Sequence, residues 1–441
     1  MQFSKTQIRA LIVPLIFEQL LAFLVGLADT VMVAGVGNTA VSAVSLVDSF
    51  FTLIMVLFSA LAAGGGVVVG QYIGQQEKER VRVAAAQLLL VLLCGSILVT
   101  VVLELFYGQL LGLLFGKAEP EIMAYCVTYY RIVMLSVPFL ALYNGASAIF
   151  RIGGDSRTPM KTSILMNLLN ICGNAVCIQL LHMGVAGAAL PSVLSRVVAM
   201  ALLLRGVLRG KLRLTEPALY RPVRRVLQNI LSIGIPNAVE SGMFQFGKLL
   251  LMSLISTLPT ASITANAIGN TVASLHLFVG LGVNPGLTSL VSRCVGAGDY
   301  RQARKITYSL IRFVYMAQGV VCTAVILLIP VINHLYGVSG EAARLAACTN
   351  LIHGASAMVL WPVCFMFSNA MTAAGDSRYV MLGSSVAMWV GRVLLSYLLI
   401  LHFGFGVLSV WFAWEVDWLI RLMFFIPRWR SGVWETKAIR G

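Results

Sequence analysis

The chain consists of long apolar stretches separated by short polar turns. Each stretch has the length of about 20 residues that a helix needs to cross the hydrocarbon core of a bilayer. With turn residues and charge clusters as boundaries, the pattern predicts twelve membrane-spanning helices. The predicted spans are residues 10–36, 40–73, 82–110, 121–150, 158–181, 185–208, 228–256, 262–294, 302–330, 343–374, 379–402 and 405–427. The first span is too long for a signal peptide, so we expect it to be retained.

The composition agrees with this pattern and argues against other classes of protein. Hydrophobic residues make up 59% of the 441 residues and charged residues 11%, against roughly 25% charged in soluble domains. The eight cysteines fall in apolar stretches without a CxxC pair, and there is no HExxH, no phosphate-binding loop and no His/Cys cluster with ligand spacing. We therefore expect no enzyme activity, no catalytic residue, no metal and no cofactor. Energy for any work must come from an ion gradient.

Positive charge in short loops marks the cytoplasmic side of a membrane protein, and here it alternates along the chain. The connection after span six is the most basic of all, and the other side holds little more than Lys117 and Arg344. The basic residues of the remaining loops are Lys78, Arg80 and Arg82 after span two; Arg151, Arg157 and Lys161 after span four; and Arg293, Arg301, Arg304 and Lys305 after span eight. Both termini are expected in the cytoplasm of a multi-pass cell-membrane protein. The net charge of +15 is spread along the chain, which favours anionic lipid headgroups over nucleic acid as partners.

The two halves of the chain repeat one another. Many matches recur at a separation of 222 residues, and the Gly-Asp-Ser-Arg sequences at 154–157 and 375–378 match at 221. Other matched pairs are Pro14 with Pro236, Glu18 with Glu240, Gly74 with Gly296, and Arg82 with Arg304. We predict an N-lobe at 1–208, a basic cytoplasmic linker at 209–227 and a C-lobe at 228–441. Six spans in each repeat make the repeat parallel, so the prediction is an all-α polytopic membrane protein with two pseudo-symmetric six-helix bundles. This is typical of transporters; a channel or an intramembrane enzyme is the alternative.

Ionisable residues within spans are costly and call for a partner, a wet cavity or a function. Asp29 lies fifteen residues after Pro14, about 22 Å along a helix, which places it deep in the outer half of span one. A carboxylate shielded from water takes up a proton more readily, as a proton-coupled antiporter requires. Pro14 introduces a kink, so the helix can bend as the carboxylate changes charge. The alternative is a structural aspartate paired with a neighbour.

Other polar residues lie at membrane depth. Asn170 and Asn174 are one turn apart on span five, and Ser192 begins span six; they suit a proton network or a substrate, or serve as interhelical hydrogen bonds. Asp417 and Arg421 lie on one helix face, with Arg392 as another candidate partner. Of the five histidines, His276 is expected mid-span as a packing residue and His353 near the outer end of its span.

The chain resembles the multidrug and toxic compound extrusion (MATE) family over nearly its whole length. The markers are Pro14, residues 28–35 (ADTVMVAG), the glycines and arginines at 74, 82, 296 and 304, the two Gly-Asp-Ser-Arg turns, and residues 183–189 (MGVAGAA). The resemblance implies twelve helices in two lobes and secondary active efflux of organic, often cationic, compounds in exchange for protons or sodium. Asp29 matches the family's cation-coupling carboxylate, and Asn170 and Ser192 match residues of the same site. Asn174 stands where many prokaryotic members have aspartate, which leaves Asp29 as the main candidate.

We therefore predict an antiporter that exports organic, cationic or amphipathic small molecules by alternating access, coupled to protons through Asp29, Asn170, Asn174 and Ser192. The alternatives are a sodium-coupled antiporter of the same family and a flippase for lipid-linked substrates. Pro14 and Pro236 are the predicted bending points, and a monomer is expected. The side chains expected to line a substrate cleft in the second half, unless they belong to the core, are Phe244, Lys248, Phe278 and Trp361.

Overall fold

The structure is a computed structural model that describes residues 3–34, 38–116 and 119–439, with the backbone alone for 27–34 and 38. Within those ranges the regular structure is helical and contains no strand, which confirms the all-α class. The helices of the first half are α1 (Lys5–Ala34), α2 (Asn38–Gly74), α3 (Lys78–Leu105), α4 (Tyr107–Phe115), α5 (Pro120–Met134), α6 (Val137–Ile152), α7 (Arg157–Asn174) and α8 (Gly184–Arg209). Those of the second half are α9 (Arg224–Ile255), α10 (Thr260–Gly296), α11 (Tyr300–Leu327), α12 (Ile329–Leu335), α13 (Gly340–Val359), α14 (Trp361–Ala374), α15 (Ser377–Val386), α16 (Leu395–Tyr397) and α17 (Leu408–Ser431).

Nine helical segments in the described part of the chain are long and apolar enough to cross a membrane, or eleven if each of two bent pairs counts as one span. The bent pairs correct the prediction of single helices at 121–150 and 343–374. The axes of α5 and α6 differ by 43°, and those of α13 and α14 by 52°. Each break comes just before a proline, Pro138 or Pro362, which cannot donate the backbone hydrogen bond that would continue the helix.

Two short helices were not predicted. α4 and α12 follow α3 and α11 directly, and they begin 222 positions apart, at Tyr107 and Ile329. The sequence analysis placed part of each short helix in the preceding predicted span. Pro330, the second residue of α12, marks that break as Pro138 and Pro362 mark the bends, whereas α4 contains no proline. The last predicted span corresponds to α17, which carries three buried charged side chains, Glu415, Asp417 and Arg421.

The chain divides into two compact units, and α9 contributes to both. The first unit is Ser4–Ala238, and the second is Val239–Gly441 together with Phe3. Each unit is built around one helix of 37 residues. In the first unit α2 packs on α3, α5 and α6; in the second, α10 packs on α11, α13 and α14. The repeat in the sequence is therefore also a repeat of helix packing. The lobe and linker boundaries expected from the sequence stay a prediction.

In each unit, an arginine near the start of a helix holds a segment more distant in the chain by an ion pair. Arg82 at the start of α3 forms an ion pair with Glu216 at 2.6 Å, and Arg304 in α11 forms one with Glu435 at 2.7 Å. In the first unit Gln87 also donates its amide to the carbonyls of Leu219 at 3.0 Å and Arg221 at 2.7 Å. The basic connection between the halves is thus docked on α3 by directed hydrogen bonds.

The two Gly-Asp-Ser-Arg turns have a shared backbone requirement. Gly154 has a φ of 93° and Gly375 a φ of 99°, a left-handed conformation that a side chain at Cβ disfavours. Their aspartates act differently. Asp155 accepts hydrogen bonds from the backbone of Arg157 and Thr158, whereas Asp376 binds Arg428 at 2.7 Å.

Candidate transport site

The polar residues predicted on spans five and six lie together in the first unit. Asn174 donates its amide to the Oδ1 of Asn170 at 3.3 Å, and Asn170 donates to the hydroxyl of Ser192 at 2.8 Å. Ser192 in turn donates to the carbonyl of Ala188 at 3.0 Å. The three side chains form one chain of hydrogen bonds between α7 and α8, which we call the amide chain.

Close packing of α7 and α8 brings this chain together. A Cβ placed on Gly173 would lie 2.6 Å from the Cβ of Pro191, so the two helices approach at a glycine beside the amides. Asn174 is 3% exposed. A π-helical segment, Ala175–Leu180, begins directly after it. Such segments within helices often occur at functional sites, because the wider turn redirects side chains.

Asp29 belongs to α1, but its side chain lies outside the described residues. The structure gives the position of the helix, and α1 packs against α7, which carries the two asparagines. The helix with the predicted coupling carboxylate therefore adjoins the helix with the amide chain. Contact between Asp29 and these amides stays a prediction.

The predicted bending prolines both lie inside helices. α1 continues through Pro14, and α9 continues through Pro236. The glutamates one turn further along each bind an arginine on another helix. Glu18 lies 2.7 Å from Arg151 of α6, and Glu240 lies 3.6 Å from Arg421 of α17. These ion pairs join distant parts of the chain, so helix periodicity alone does not predict them.

A cavity of about 410 Å³ in the first unit is lined by α2, α6 and α8 and contains both a carboxylate and a guanidinium. The guanidinium of Arg196 lies 4.5 Å from the ring centre of Phe51 and donates to the hydroxyl of Ser136 at 2.7 Å. Asp48 accepts a hydrogen bond from Tyr129 at 3.0 Å. The sequence pattern does not bring Asp48 and Arg196 together, because their helices are far apart in the chain.

The four residues expected in a substrate cleft have different surroundings. Trp361 is 1% exposed and stacks on Phe365 with ring centres 4.9 Å apart, so it packs in the core of the second unit. Phe244 is half-buried, Lys248 is exposed one turn later on α9, and Phe278 is half-buried on α10. Within the described part of the chain, no aromatic contact joins Trp361 or Phe278 to Phe244. Their contact with substrate stays a prediction.

The second unit holds a buried group of charged and polar side chains that sequence reasoning found only in part. The predicted pair is present: Arg421 lies 2.9 Å from Asp417. Arg392, the other candidate partner, lies over the ring of Trp414 at 3.6 Å instead.

The histidines of this unit form a pair. The Nδ1 atoms of His276 and His353 lie 3.1 Å apart, and both rings are fully buried. The expected position of His353 near the outer end of its span stays a prediction. In the described ranges, no group of three or more His, Cys, Asp and Glu side chains is arranged to hold a metal ion.

Comparisons with known proteins agree with this architecture. The family model MatE matches residues 14–176 and 236–398, one match in each half. The chain is 26% identical over 439 residues to an uncharacterized transporter, YisQ, of Bacillus subtilis (strain 168), covering 97% of this chain and 94% of the relative. It is 24% identical over 437 residues to the probable multidrug resistance protein NorM of Thermotoga maritima, covering 97% and 93%.

The fold also matches solved structures. A crystal structure of MATE in complex with MaL6 superposes with a TM-score of 0.90 at 21% identity, covering 98% of this chain and 97% of that one. At this identity the likeness establishes the fold. The prediction of two bundles of membrane-spanning helices is thereby confirmed.

Proposed function

We propose that this chain, which belongs to the multidrug and toxic compound extrusion (MATE) family, exports organic compounds in exchange for protons. Membership of this family identifies the chain as a membrane-embedded transporter. Protons as the coupling ion, cationic or amphipathic small molecules as substrates, and alternating access are our proposal. Relatives described as multidrug resistance or multidrug export proteins support the choice of substrate. The alternation of basic loops supports a position in the cell membrane with both termini in the cytoplasm.

The observation that carries the proposal is the amide chain beside α1. Two amides and a hydroxyl in an apolar helix interface can accept or donate a hydrogen bond without carrying charge. They can therefore stabilise a neighbouring carboxylate in either protonation state. A sodium ion is attracted by negative charge among its oxygen ligands, and Asn174 lacks the negative charge that an aspartate would add at this position. This favours a proton carried by Asp29.

Transport in proteoliposomes tests the proposal. A fluorescent organic cation is followed under a pH gradient alone and under a sodium gradient alone. We expect the pH gradient to drive transport and the sodium gradient to have no effect. Asp29→Asn should abolish the gradient-driven transport, because an amide cannot carry the proton.

The matched control is Glu104→Gln, which neutralises a carboxylate of α3 that lies 3.8 Å from Arg131 on the same unit. It should transport as the wild type does. Full activity of Asp29→Asn would exclude Asp29 as the carrier, and transport driven by sodium alone would exclude the proton. If neither gradient moves the dye, lipid-linked substrates are the next to test.

A further inference from the structure

Glu415 of α17 is a buried carboxylate without hydrogen bonds. Its side chain is 7% exposed, and neither carboxylate oxygen has a hydrogen-bond partner among the described residues. The hydroxyl of Ser356 on α13 interacts with the carboxylate, but no hydrogen bond of ordinary geometry joins them. An ionised carboxylate that is both buried and unbonded costs several kcal/mol, which a protein rarely tolerates without a function.

The neighbours of Glu415 along α17 are aromatic. Trp411 and Trp418 lie one turn before and after Glu415 on α17, and Trp414 directly precedes it. His353 of α13 packs against all three indoles, with ring centres 5.5, 4.9 and 5.3 Å away. This part of α17 is therefore packed against α13 through aromatic rings, and little water reaches it.

A guanidinium lies nearby but does not neutralise the carboxylate. Arg392 is 2% exposed, and its Nε and Nη1 atoms have no hydrogen-bond partner in the described part of the chain. Its guanidinium lies 3.6 Å from the ring centre of Trp414 and 5.4 Å from that of Phe244. Within that same part, no carboxylate oxygen lies within 4.0 Å of Arg392.

The other buried charges of the region are already paired. Arg421 binds Asp417 at 2.9 Å and Glu240 at 3.6 Å, and it donates to the hydroxyl of Ser384 at 2.8 Å. This leaves Glu415 and Arg392 as two buried groups of opposite charge that do not touch. Besides Glu415, the buried ionisable side chains of α17 and of the helical segments packed on it are His353, Cys364, Arg392, Asp417 and Arg421, with Tyr397 partly buried. The ionisable groups near them on other helices are His276, Glu240 and Lys248.

We propose that Glu415 is a second proton-binding carboxylate of the transporter, with Arg392 as the counter-ion that it gains when the proton leaves. The absence of hydrogen bonds to the carboxylate fits the neutral, protonated acid. When the proton is lost to water, the carboxylate attracts the unbonded Nε and Nη1 of Arg392, whose guanidinium leaves the Trp414 ring. A proton needs one oxygen atom, whereas a metal cation needs several, and indole rings provide none. This inference rests on the proposed proton-coupled transport.

Infrared difference spectroscopy of the full chain in liposomes tests this proposal directly. The C=O stretch of a protonated carboxylic acid is recorded as the pH is raised, with and without sodium chloride. We expect a band that disappears at high pH in the wild type and in Glu104→Gln, and that is absent from Glu415→Gln. The same band should persist in Asp29→Asn, since that variant removes a different carboxylate.

The fluorescence of Trp414 provides a second signal, since Arg392 leaves its ring on deprotonation. A pH-dependent change in tryptophan emission should occur in the wild type and be lost in both Trp414→Phe and Glu415→Gln. If Glu415→Gln does not fold, Glu415→Asp retains a carboxyl group in a different position. Its band should then be shifted, and an unshifted band would overturn the proposal.

Transport measurements separate this inference from the proposed function. We expect Glu415→Gln to move fewer protons per substrate than the wild type under the same pH gradient. An unchanged band or an unchanged proton count in Glu415→Gln overturns the role of Glu415 and leaves the proposed function intact. A band that sodium removes at constant pH shows that the carboxylate binds sodium in place of a proton. If no gradient of protons drives the wild type, the proposed function fails, whatever the spectra show.

Discussion

The approach of α2 to the first part of α9 allows a quantitative prediction about glycine. A Cβ placed on Gly64 would lie 2.7 Å from the Cα and 3.0 Å from the backbone nitrogen of Gly234. Carbon atoms normally pack at about 3.5–4.0 Å, so Gly64→Ala forces the two backbones apart by roughly 1 Å. Backbone atoms cannot rotate away as a side chain does. Small residues at such helix contacts are typical of membrane proteins.

Gly66 on the same helix is the matched control. A Cβ placed there would lie 3.4 Å from the Cβ of Ala148, which is close to ordinary van der Waals contact. Both substitutions remove a helix-interior glycine and gain about 1 kcal/mol of helix propensity, so this gain cancels in the comparison. Overpacking costs about 1–3 kcal/mol. We therefore expect Gly64→Ala to have a free energy of unfolding lower than that of Gly66→Ala by about 1–3 kcal/mol.

Unfolding of the purified protein in mixed micelles, titrated with sodium dodecyl sulfate and followed by helix content, measures this difference. Gly234→Ala provides an intermediate case, because its Cβ would meet the flexible side chain of Leu61 at 2.6 Å. From most to least stable, the expected order is Gly66→Ala, Gly234→Ala and Gly64→Ala. Equal stability of Gly64→Ala and Gly66→Ala would refute the reasoning, since it would show that the two backbones separate without cost.

Two further predictions concern loops. Gln87→Leu removes both hydrogen bonds to the carbonyls of Leu219 and Arg221, so limited proteolysis should cut residues 210–223 faster than in the wild type. Equal cleavage rates would show that the ion pair of Arg82 with Glu216 is enough to hold this segment on α3. Gly375→Ala places a Cβ at a φ of 99°, where it is strained against the backbone. The melting temperature should therefore fall by an amount that corresponds to about 1–2 kcal/mol of stability. An unchanged melting temperature would contradict this strain.

Within a single helix, the sequence was sufficient to predict contacts. Asp417 and Arg421 are four residues apart on one face, and they form the predicted pair at 2.9 Å. Asn170 and Asn174 have the same spacing and are hydrogen-bonded. In both cases the period of the α-helix determines which side chains are neighbours, so the spacing alone is enough.

Contacts between helices were less predictable. The hydrogen bond from Asn170 to Ser192, the ion pair of Glu18 with Arg151 and the pair of His276 with His353 each depend on how two helices are rotated about their axes. In a soluble helix, a polar face and an apolar face would indicate that rotation. Here nearly every face is apolar because lipid surrounds the bundle, so the hydrophobic pattern contains little information about it.

By itself, the sequence determined the helical class, the membrane as the surrounding solvent, the repeat of 222 residues and the family. The first three follow from apolar length, from charge in the loops and from comparison of one half with the other, and the family follows from the motifs that resemble it. None of them requires a contact to be known. Only the tertiary structure decided where each charge finds its partner. It paired Arg421 with Asp417 and Glu240, placed Arg392 on an indole ring and left Glu415 unbonded. The energy of a buried charge depends on its immediate neighbours, which are brought together from distant parts of the chain when the helices pack.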